Sequence, residues 1–455
     1  MPVVLAVVIF LLVVGSLIFH FVSPWYFTDL ASNWHAIDST VNITFIVCGI
    51  VFVVVNLFTA YCLIRYRHKP GHKAHYEPES QKLEITLTIF TAIGVAAMLA
   101  PGLRAWGSFV NVPEDAMRVE ALGKQWNWSY RFPGADGELG NTDVRQMSPS
   151  NPMGVDASDP RGQDDIIVKE PILHLPQGED VHVLLRSTDV LHNFTVPQFR
   201  VKMDLVPGMV TYQWFATEKE GTYDVLCEEL CGIGHFAMRS KVVVEPEADF
   251  QTWLAAQPTF AETQAMPVGD ATRGATTYAV CLACHGPQGE GNQAMNAPKL
   301  AGQEPWYLRS QIAKFQSGMR GTEDNISVQM RAMAAVLTTP AVVEDVLAYI
   351  GTFPDEPAET TITGDVDRGR VLYETCGNCH GADGQGNWNS HAPRLAGMSD
   401  WYLHRQLMLF HQPDRAQRRG GQPNDINGDQ MYMMSGLLKD EAAFNDVVAY
   451  INTLP

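Results

Sequence analysis

The first hundred residues contain three long apolar runs, after which the pattern changes to short alternating segments. The apolar runs are nearly uncharged and occupy residues 3–19, 43–64 and 85–100. The first two approach the roughly 20 residues that a membrane-spanning helix needs, and the third reaches that length with the PGLRAW that follows it. The pattern therefore predicts three transmembrane helices, at about residues 3–22, 42–64 and 84–106.

Positive charge is concentrated in one of the two loops between these helices. The loop RYRHKPGHKAHYEPESQK carries five lysines and arginines, whereas SPWYFTDLASNWHAIDST carries none. The positive-inside rule places the basic loop in the cytoplasm and everything after residue 105 outside. Residues 1–22 lack a basic n-region and a clear small-residue cleavage site, which favours a retained helix over a signal peptide.

Between Met117 and Glu247 the pattern changes to short β-branched and aromatic segments separated by Gly, Pro and Asp. Such segments predict an all-β sandwich or barrel. Residues 134–165 interrupt the pattern with a stretch rich in Gly, Pro and Asp, which is interpreted as a solvated surface insertion.

From Gly269 onward the sequence repeats itself. A segment of similar sequence begins 95 positions later at Gly364, and the similar tails VVEDVLAYI and FNDVVAYI end 101 positions apart at Ile350 and Ile451. Duplication at this length predicts two small homologous domains, joined by a linker at residues 354–363. The predicted parts of the chain are an anchor (1–105), a β domain (106–247), a first repeat (269–353) and a second repeat (364–455).

The net charge of the chain and the spacing of its cysteines restrict the classes of function that fit the sequence. The 455-residue chain has a net charge of -18, which argues against nucleic acid as a partner. Two of the eight cysteines, Cys48 and Cys62, lie in apolar segments and are expected to pack as small hydrophobic side chains. The other six form three spaced pairs, each beside a histidine.

Each repeat carries one C-x-x-C-H motif, CLACH at 281–285 and CGNCH at 376–380. This spacing lets two thioethers form with one haem while the adjacent histidine becomes an axial ligand. Zinc is the alternative, but neither motif has a second Cys/His pair nearby. The motifs predict two covalent haems c, and the expected attachment and proximal residues are Cys281, Cys284, His285, Cys376, Cys379 and His380.

The sixth haem ligand has two candidates in each repeat. Met330 aligns with Met431 and Met333 with Met434, whereas the earlier methionines have no counterpart. The region resembles the soluble dihaem cytochromes c, in which C-x-x-C-H, P-x-L-A-G and M-x6-L elements recur. The resemblance implies two all-α class I cytochrome c domains with Met330 and Met431 as ligands.

The same resemblance assigns a role to two prolines. Pro298 and Pro393 each lie seventeen residues after the first cysteine of their motif. In the dihaem cytochromes c the carbonyl at this place orients the proximal histidine, so Pro298 and Pro393 are expected to do so here.

The stretch CEELCGIGHFAM, residues 227–238, places two cysteines, a histidine and a methionine within twelve positions. A disulfide would use only the cysteines, and a zinc knuckle has little use for Met238. Thiolate and thioether ligands beside an imidazole favour copper. The stretch STDVLHNFTVP offers His192 as a further ligand from elsewhere in the β domain.

At this point residues 40–247 resemble subunit II of a haem–copper cytochrome c oxidase. They carry C-x-E-x-C-G-x-x-H-x-x-M, D-V-x-H-x-F-x-V-P, the aromatic run QWNWSY and K-x-D-x-x-P-G. The resemblance implies a cupredoxin-like barrel with a dinuclear CuA centre. The implied ligands are bridging Cys227 and Cys231, His192 and His235 on one copper each, and the weak ligands Met238 and the Glu229 carbonyl.

The resemblance also implies three roles outside the ligand set. Trp126 would be the residue at which soluble cytochrome c delivers its electron, and the Glu229 side chain would bind a magnesium ion shared with subunit I. Glu84 would stand at the mouth of a proton pathway into subunit I. Core packing is the alternative for Trp126, and a solvated acid at a helix start is the alternative for Glu84. The extra first helix and Asn127, where an aromatic is common, depart from the family plan.

The resulting prediction is a multidomain electron-entry subunit of a proton-pumping cytochrome c oxidase in a bacterial inner membrane, with its redox domains on the periplasmic face. Electrons would pass through two haems to CuA and on to subunit I, where dioxygen is reduced. The donor is expected to be a cytochrome c or a quinol-oxidising complex. The alternatives are a CuA subunit of a nitric oxide reductase, a pure electron-transfer module, and a quinol-oxidase subunit retained for structure. Sequence proximity makes the haem at Cys281 the expected neighbour of CuA.

Overall fold

The computed structural model describes residues 1–23, 28–73 and 76–455, so residues 24–27 of the first predicted loop and 74–75 of the basic loop lie outside the described residues. Three helices begin the chain: α1 (Pro2–Val22), α2 (His35–Arg65) and α3 (Gln81–Val110). Within the described residues these three are long and apolar enough to cross a membrane. The three predicted helices are confirmed.

Two of the helices extend further than the apolar runs predict. With 31 residues, α2 is about 46 Å long at 1.5 Å per residue, whereas the hydrocarbon core of a bilayer is about 30 Å thick. Its outer end is tied to the β domain, because Trp34 Nε1 donates to the Trp214 carbonyl at 3.0 Å. Trp214 Nε1 in turn donates to the carbonyl of Ser108 in α3 at 3.1 Å. The anchor and the β domain are therefore joined by side-chain contacts as well as by the chain.

The β domain is a sandwich of two five-stranded sheets, called the sandwich below. Its strands are β1 (Met117–Lys124), β2 (Asn127–Phe132), β3 (Ile166–Ile167), β4 (Ile172–Pro176), β5 (Asp180–Ser187), β6 (His192–Val196), β7 (Val201–Leu205), β8 (Thr211–Ala216), β9 (Gly221–Leu226) and β10 (Arg239–Glu245). One sheet has the order β3-β2-β1-β5-β8 and the other β4-β10-β9-β6-β7. The β1–β5 and β4–β10 pairs are parallel, and the other ladders are antiparallel.

Alternation along the strands builds the core between the sheets. In β5 every second residue from Val181 to Leu185 is buried, as the period of two in a strand requires. These side chains meet residues of the opposite sheet such as Phe194 and Val242 in one hydrophobic cluster. The predicted all-β region is confirmed.

The interpretation of residues 134–165 as a solvated insertion is wrong. Met153 and Val155 are buried in a small cluster with Phe260 of the following segment. Asp165 is fully buried, and Arg131 of β2 donates to its carboxylate. The sequence pattern did not predict this second small core, because its members come from distant positions in the chain.

Two short helices, α4 (Glu247–Ala255) and α5 (Phe260–Gln264), lead from the sandwich to the repeats. The helices of the first repeat are α6 (Ala271–Tyr278), α7 (Leu282–His285), α8 (Pro305–Ser317), α9 (Asn325–Ala334) and α10 (Pro340–Ile350). Those of the second repeat are α11 (Val366–His380), α12 (Asp400–Phe410), α13 (Ile426–Ser435) and α14 (Glu441–Ile451).

In each repeat the first helix crosses the last one closely. A Cβ atom at Gly274 of α6 would lie 1.9 Å from the Asp345 carbonyl oxygen, and one at Gly369 of α11 would lie 2.0 Å from that of Asp446. Only glycine permits this approach. The duplication seen in the sequence is therefore also a duplication of helix packing.

The two repeats pack against each other with approximate two-fold symmetry. Lys299 Nζ donates to the Gly397 carbonyl at 3.1 Å, and the equivalent Arg394 Nη1 donates to the Gly302 carbonyl at 2.9 Å. Both cations also pair with Asp355 at the beginning of the linker. Because each repeat supplies the same kind of contact to the other, the pair forms one unit.

A buried polar cluster lies at the centre of this interface. Arg320 of the first repeat donates to Tyr402 of the second at 2.6 Å, and Arg419 of the second donates to Tyr307 of the first at 3.0 Å. Nearby, Lys314 pairs with Asp425 at 2.6 Å across the interface. Breaking a buried pair by removing one partner costs about 3–5 kcal/mol, so these contacts hold the repeats in one orientation.

Candidate metal and haem sites

The predicted copper ligands converge at one end of the sandwich. His192 begins β6, and the other five predicted ligands lie in the loop from Cys227 to Met238 that joins β9 to β10. The Cys227 and Cys231 sulfur atoms are 3.7 Å apart. His192 Nδ1 lies 4.0 Å from the Cys227 sulfur.

The remaining members of the set lie around the same sulfur atoms. His235 Nδ1 is 3.6 Å and the Met238 sulfur 3.9 Å from the Cys231 sulfur. The Glu229 carbonyl oxygen is 3.3 Å from the Cys227 sulfur. The fold thus brings together every atom that the sequence predicted as a copper ligand.

The two cysteines are not a disulfide, since a sulfur–sulfur bond is about 2.05 Å long. Hydrogen bonding from the Cys231 thiol, together with His192, lowers the pKa of Cys227 below that of a free thiol. The same close contact raises the pKa of Cys231. A site with one thiolate already favoured, next to imidazole and thioether groups, has the chemistry of a copper site.

Asp189 was not predicted and has a clear role. Its carboxylate oxygen lies 2.8 Å from His192 Nε2, and it also accepts from the backbone amide of Gln125 at 2.7 Å. A hydrogen bond at Nε2 fixes the imidazole so that Nδ1 faces the thiols. Asp189 is the first residue of the D-V-x-H motif, so the motif itself contained the signal.

Trp126 lies directly behind the cysteine loop. Its indole Nε1 donates to the Cys231 carbonyl at 2.9 Å, and Gln125 Nε2 donates to the same carbonyl at 2.8 Å. Trp126 is only 4% exposed. The structure therefore brings Trp126 into direct contact with the predicted copper-binding loop.

Both haem motifs have the same geometry. His285 Nδ1 lies 2.8 Å from the Pro298 carbonyl oxygen, and His380 Nδ1 lies 2.8 Å from that of Pro393. The hydrogen bonds expected from the resemblance to dihaem cytochromes c are present in both repeats. Burial lowers the pKa of both histidines against these bonds, which keeps the rings neutral. A neutral imidazole with an oriented Nδ1 leaves Nε2 as the metal-binding atom.

The methionine candidates lie on equivalent helices. Met330 and Met333 are one turn apart on α9, and Met431 and Met434 are one turn apart on α13. Met333 is 39% exposed, whereas Met330 is half-buried. The choice of Met330 and Met431 as ligands stays a prediction.

The two predicted acids lie on different parts of the chain, one on a membrane helix and one in the copper loop. Glu84 lies in the first turn of α3 and is exposed. Glu229 is half-buried in the copper loop, where its carbonyl faces Cys227. Their roles in proton entry and magnesium binding stay predictions.

The second repeat, and not the first, lies against the predicted copper site. Asn127 Nδ2 donates to the Asn389 carbonyl at 2.7 Å, and Ser390 Oγ donates to the Gln125 carbonyl at 3.0 Å. Cys379 of the second haem motif packs against the sandwich core. The expectation that the haem at Cys281 neighbours CuA is therefore wrong.

Helix α13 completes this contact. It lies against β10 and the turn His235–Ala237, and Gln430 Nε2 donates to the Trp126 carbonyl. The buried Lys124 places its ammonium 5.1 Å from the centroid of the Trp388 ring. The first repeat follows the sandwich in the chain, but packing between the two repeats turns the second one back onto the copper loop.

Comparisons with known proteins match the sandwich and the repeats to two families. The family described as cytochrome C oxidase subunit II, periplasmic domain, matches residues 117–246, and the family described as cytochrome c matches residues 271–354 and 366–455. An alternative cytochrome c oxidase subunit 2 from Bradyrhizobium diazoefficiens is 56% identical over 256 residues, which is 56% of this chain and 92% of the relative. Cytochrome c oxidase subunit 2 of Cereibacter sphaeroides is 28% identical, over 50% of this chain and 77% of the relative.

Solved structures match separate parts of the chain. The periplasmic domain of subunit II of cytochrome oxidase from Bradyrhizobium japonicum is 28% identical, with a TM-score of 0.24, and the match covers 32% of this chain and 95% of that one. Reduced recombinant cytochrome c4 from Pseudomonas stutzeri is 26% identical, with a TM-score of 0.33, and covers 41% of this chain and 100% of that one.

The subunit II match implies copper and the cytochrome c matches imply haem c, which agrees with the residues assembled in the sandwich and in the repeats. Subunits of this kind are parts of haem–copper oxidases, which are oxidoreductases. The chain belongs to the cytochrome c oxidase subunit 2 family and carries two cytochrome c domains behind its cupredoxin-like sandwich.

Proposed function

We propose that this chain is the electron-entry subunit of a terminal cytochrome c oxidase, with one haem c in each repeat and a dinuclear CuA centre in the sandwich. Electrons leave the chain for a separate subunit I, in which dioxygen is reduced to water. The contact that carries this proposal is the one between the second repeat and the copper loop, since it joins the two kinds of redox site within one chain. The proposed division of the chain is 1–105, 106–247, 269–353 and 364–455.

The residues that would hold the two copper ions are already oriented. Cys227 and Cys231 have their sulfur atoms 3.7 Å apart and would bridge the ions, with His192 and His235 each on one of them. Met238 and the Glu229 carbonyl would complete the shells as weak ligands. A dinuclear copper pair, when bound, supplies a one-electron carrier whose geometry changes little between its oxidation states.

The contacts of the second repeat with the sandwich support one order of electron transfer. Cys379 touches the sandwich core, so its haem motif is adjacent to the copper loop, while Cys284 belongs to the other repeat, which is joined to the second one by contacts such as Arg320 with Tyr402. Electrons would enter at the first repeat, continue to the second and then reach the sandwich. Trp126 would help this last transfer, because its indole and its carbonyl bond to the copper loop and to Gln430 respectively.

The remaining features fit a membrane-bound complex. The basic loop would lie in the cytoplasm of a bacterial cell, and the sandwich and repeats in the periplasm next to the inner membrane. Glu229 would share a magnesium ion with subunit I. Glu84, exposed at the beginning of α3, would supply protons to subunit I from the cytoplasmic side.

Metal and haem analysis of the purified complex tests this proposal. We expect two coppers in the sandwich and two covalently attached haems c per copy of this chain, besides the metals of subunit I. The oxidised complex should also show the near-infrared band of a mixed-valence copper pair. Zinc in place of copper, or one copper per two haems in the sandwich and repeats, would contradict the dinuclear centre.

An assay with two substrates separates the proposal from the nitric oxide reductase alternative. The complex should consume oxygen rapidly with a reduced cytochrome c, and reduce nitric oxide slowly under the same conditions. Faster reduction of nitric oxide would assign the subunit to the other reaction.

A further inference from the structure

The second repeat contacts the sandwich through three segments that together form one face. They are the haem motif at Cys379, the turn Trp388–Ser390 and the part of α13 that contains Gln430. Since all three touch the same neighbour, they must lie on the same side of the repeat. We call these segments the docking face of the second repeat.

The first repeat presents the equivalent face to solvent. The alignment pairs Cys379 with Cys284, the turn Trp388–Ser390 with Gln293–Met295, and Gln430 with Gln329. Gln293, Ala294 and Met295 are all exposed, as is Gln329, and Met295 has 51% of its surface exposed. We call residues Cys284, Gln293–Met295 and Gln329 the open face of the first repeat.

The open face differs chemically from its counterpart. Ser390, which donates a hydrogen bond to the sandwich, is replaced by Met295, and Trp388 is replaced by Gln293. None of the open-face residues is charged, although the chain as a whole has a net charge of -18. A partner recognised by this face would therefore contact it through apolar and uncharged polar groups, and a thioether suits such a surface well.

We propose that the open face is the docking site for an external electron-donor protein that presents an uncharged, partly apolar surface around its own redox centre. The inference rests on the proposed function and extends it to the partner. The reaction on this face is a one-electron transfer: the donor metal is oxidised by one electron and the ferric haem of the first repeat is reduced to ferrous. No proton or leaving group is involved.

The internal contact is the reason to expect such an occupant. The same face of a homologous domain already serves electron transfer between two redox domains in this chain, so its geometry brings a haem motif close to a partner. In the second repeat the sandwich covers the docking face. In the first repeat the equivalent open face is exposed and can contact a second protein. The buried contacts between the repeats, such as Arg320 with Tyr402, hold the two repeats in one orientation.

The test uses the whole oxidase complex and a reduced soluble monohaem cytochrome c as the probe. Met295→Glu and Gln329→Glu, alone and combined, place charge on the open face. In anaerobic stopped-flow mixing at low cytochrome concentration, the cytochrome should reduce the first haem of the double variant at least about tenfold more slowly than that of the wild type. The reason is that burying a charge at an interface is costly. Ala341→Glu, an exposed position on α10, is the matched control and should leave the rate unchanged.

Three further measurements make the result specific. A small redox mediator should reduce the variants as fast as the wild type, and the midpoint potentials of both haems should not move. The wild-type rate should change less than about threefold between about 20 and about 200 mM salt, since no ion pairs are expected across the contact.

The proposal is overturned if the double variant is reduced at the wild-type rate, if the cytochrome does not reduce the first haem, or if the rate falls steeply with salt. It is also overturned if the double variant changes the oligomeric state of the complex, because the open face is then a contact between copies. Failure of the proposed function itself would appear differently, as missing copper or haem spectra in the wild type.

Discussion

The copper site and the haem sites are assembled in different ways. The predicted copper ligands come from two distant parts of the sandwich, His192 at the start of β6 and the loop after β9, and Asp189 lies within hydrogen-bond distance of the histidine. Each predicted haem site uses five contiguous residues such as 281–285, with one orienting carbonyl and a methionine predicted from a later helix. The predicted copper site therefore depends on the fold, whereas most residues of each predicted haem site lie in one short segment.

This difference predicts how the sites respond to mutation. Copper would be held only by its donor atoms, so a substitution that removes one donor weakens the binding of the metal. A haem attached by thioethers remains bound when its sixth ligand is lost. Copper variants should therefore lose the metal, whereas haem-ligand variants should keep the haem and change its properties.

The largest effect is expected for Cys227→Ser. Serine removes a bridging thiolate and offers only a hard oxygen donor, so the dinuclear centre should not form. The near-infrared copper band should disappear and oxygen consumption with reduced cytochrome c should fall to background, while both haems c remain. Absorption spectra and copper analysis of the purified complex measure this, and normal copper content in the variant would show that Cys227 is not a bridge.

The next effect is expected for Met330→Ala or Met431→Ala. Loss of a thioether ligand should abolish the sulfur-to-iron charge-transfer band of one haem and lower its potential markedly, with the haem still attached. Met333→Ala is the control for Met330→Ala. Since Met333 is 39% exposed, its truncation should cost less than the about 2–5 kcal/mol of a fully buried methionine and keep the band.

Near-infrared haem spectra and redox titrations of the two variants decide between these residues. If the Met333 variant loses the band and the Met330 variant keeps it, the ligand assignment is reversed in the first repeat. The same measurements on Met431→Ala and Met434→Ala test the ligand assignment independently in the second repeat.

A smaller effect is expected for Asp189→Asn. Asparagine keeps the size of the side chain and removes the charge that orients His192, so copper affinity should fall about 10–100-fold. Competition with a copper chelator measures this, with Glu220→Gln on the exposed β8–β9 turn as the control. Unchanged affinity would mean that the fold holds His192 without Asp189.

The smallest effect is expected at Glu84, which belongs to neither the predicted copper site nor the predicted haem sites. If Glu84 feeds protons to subunit I, Glu84→Gln should slow steady-state oxygen reduction several-fold while reduction of the haems and copper by the donor stays fast. Glu84→Asp should recover much of the rate, because a carboxylate can still relay protons. Unchanged turnover of the Gln variant in the assembled complex would leave only a helix-terminal role.

The same contrast explains what the sequence could predict. C-x-x-C-H and the 95-residue repeat are visible in the sequence, so both haem motifs were predictable before the fold was known. The carbonyls of Pro298 and Pro393 were predicted from the resemblance to dihaem cytochromes c. The copper ligands were predicted because their loop is compact and the histidine motif resembles a known family. Long apolar runs predicted the three membrane helices, and short β-branched segments between turn residues predicted the β domain.

The arrangement of the domains could not be predicted in this way. The contacts of Ser390 and Gln430 with the sandwich are made by common polar side chains to backbone carbonyls, and they have no sequence signature. Similarly, the buried partnership of Arg131 and Asp165 joins a strand to a segment that has the composition of a solvated loop. Both depend on surfaces that meet only after each part has folded.

The position of the second repeat also implies an order of maturation for the subunit. His192 is fully buried and Cys231 is 2% exposed, and α13 closes over the turn that carries His235. Cys379, whose thiol must be reachable when haem is attached, packs into the same junction. We therefore expect haem ligation and copper delivery to precede closure of this junction, so that closure acts as the last step in building the subunit.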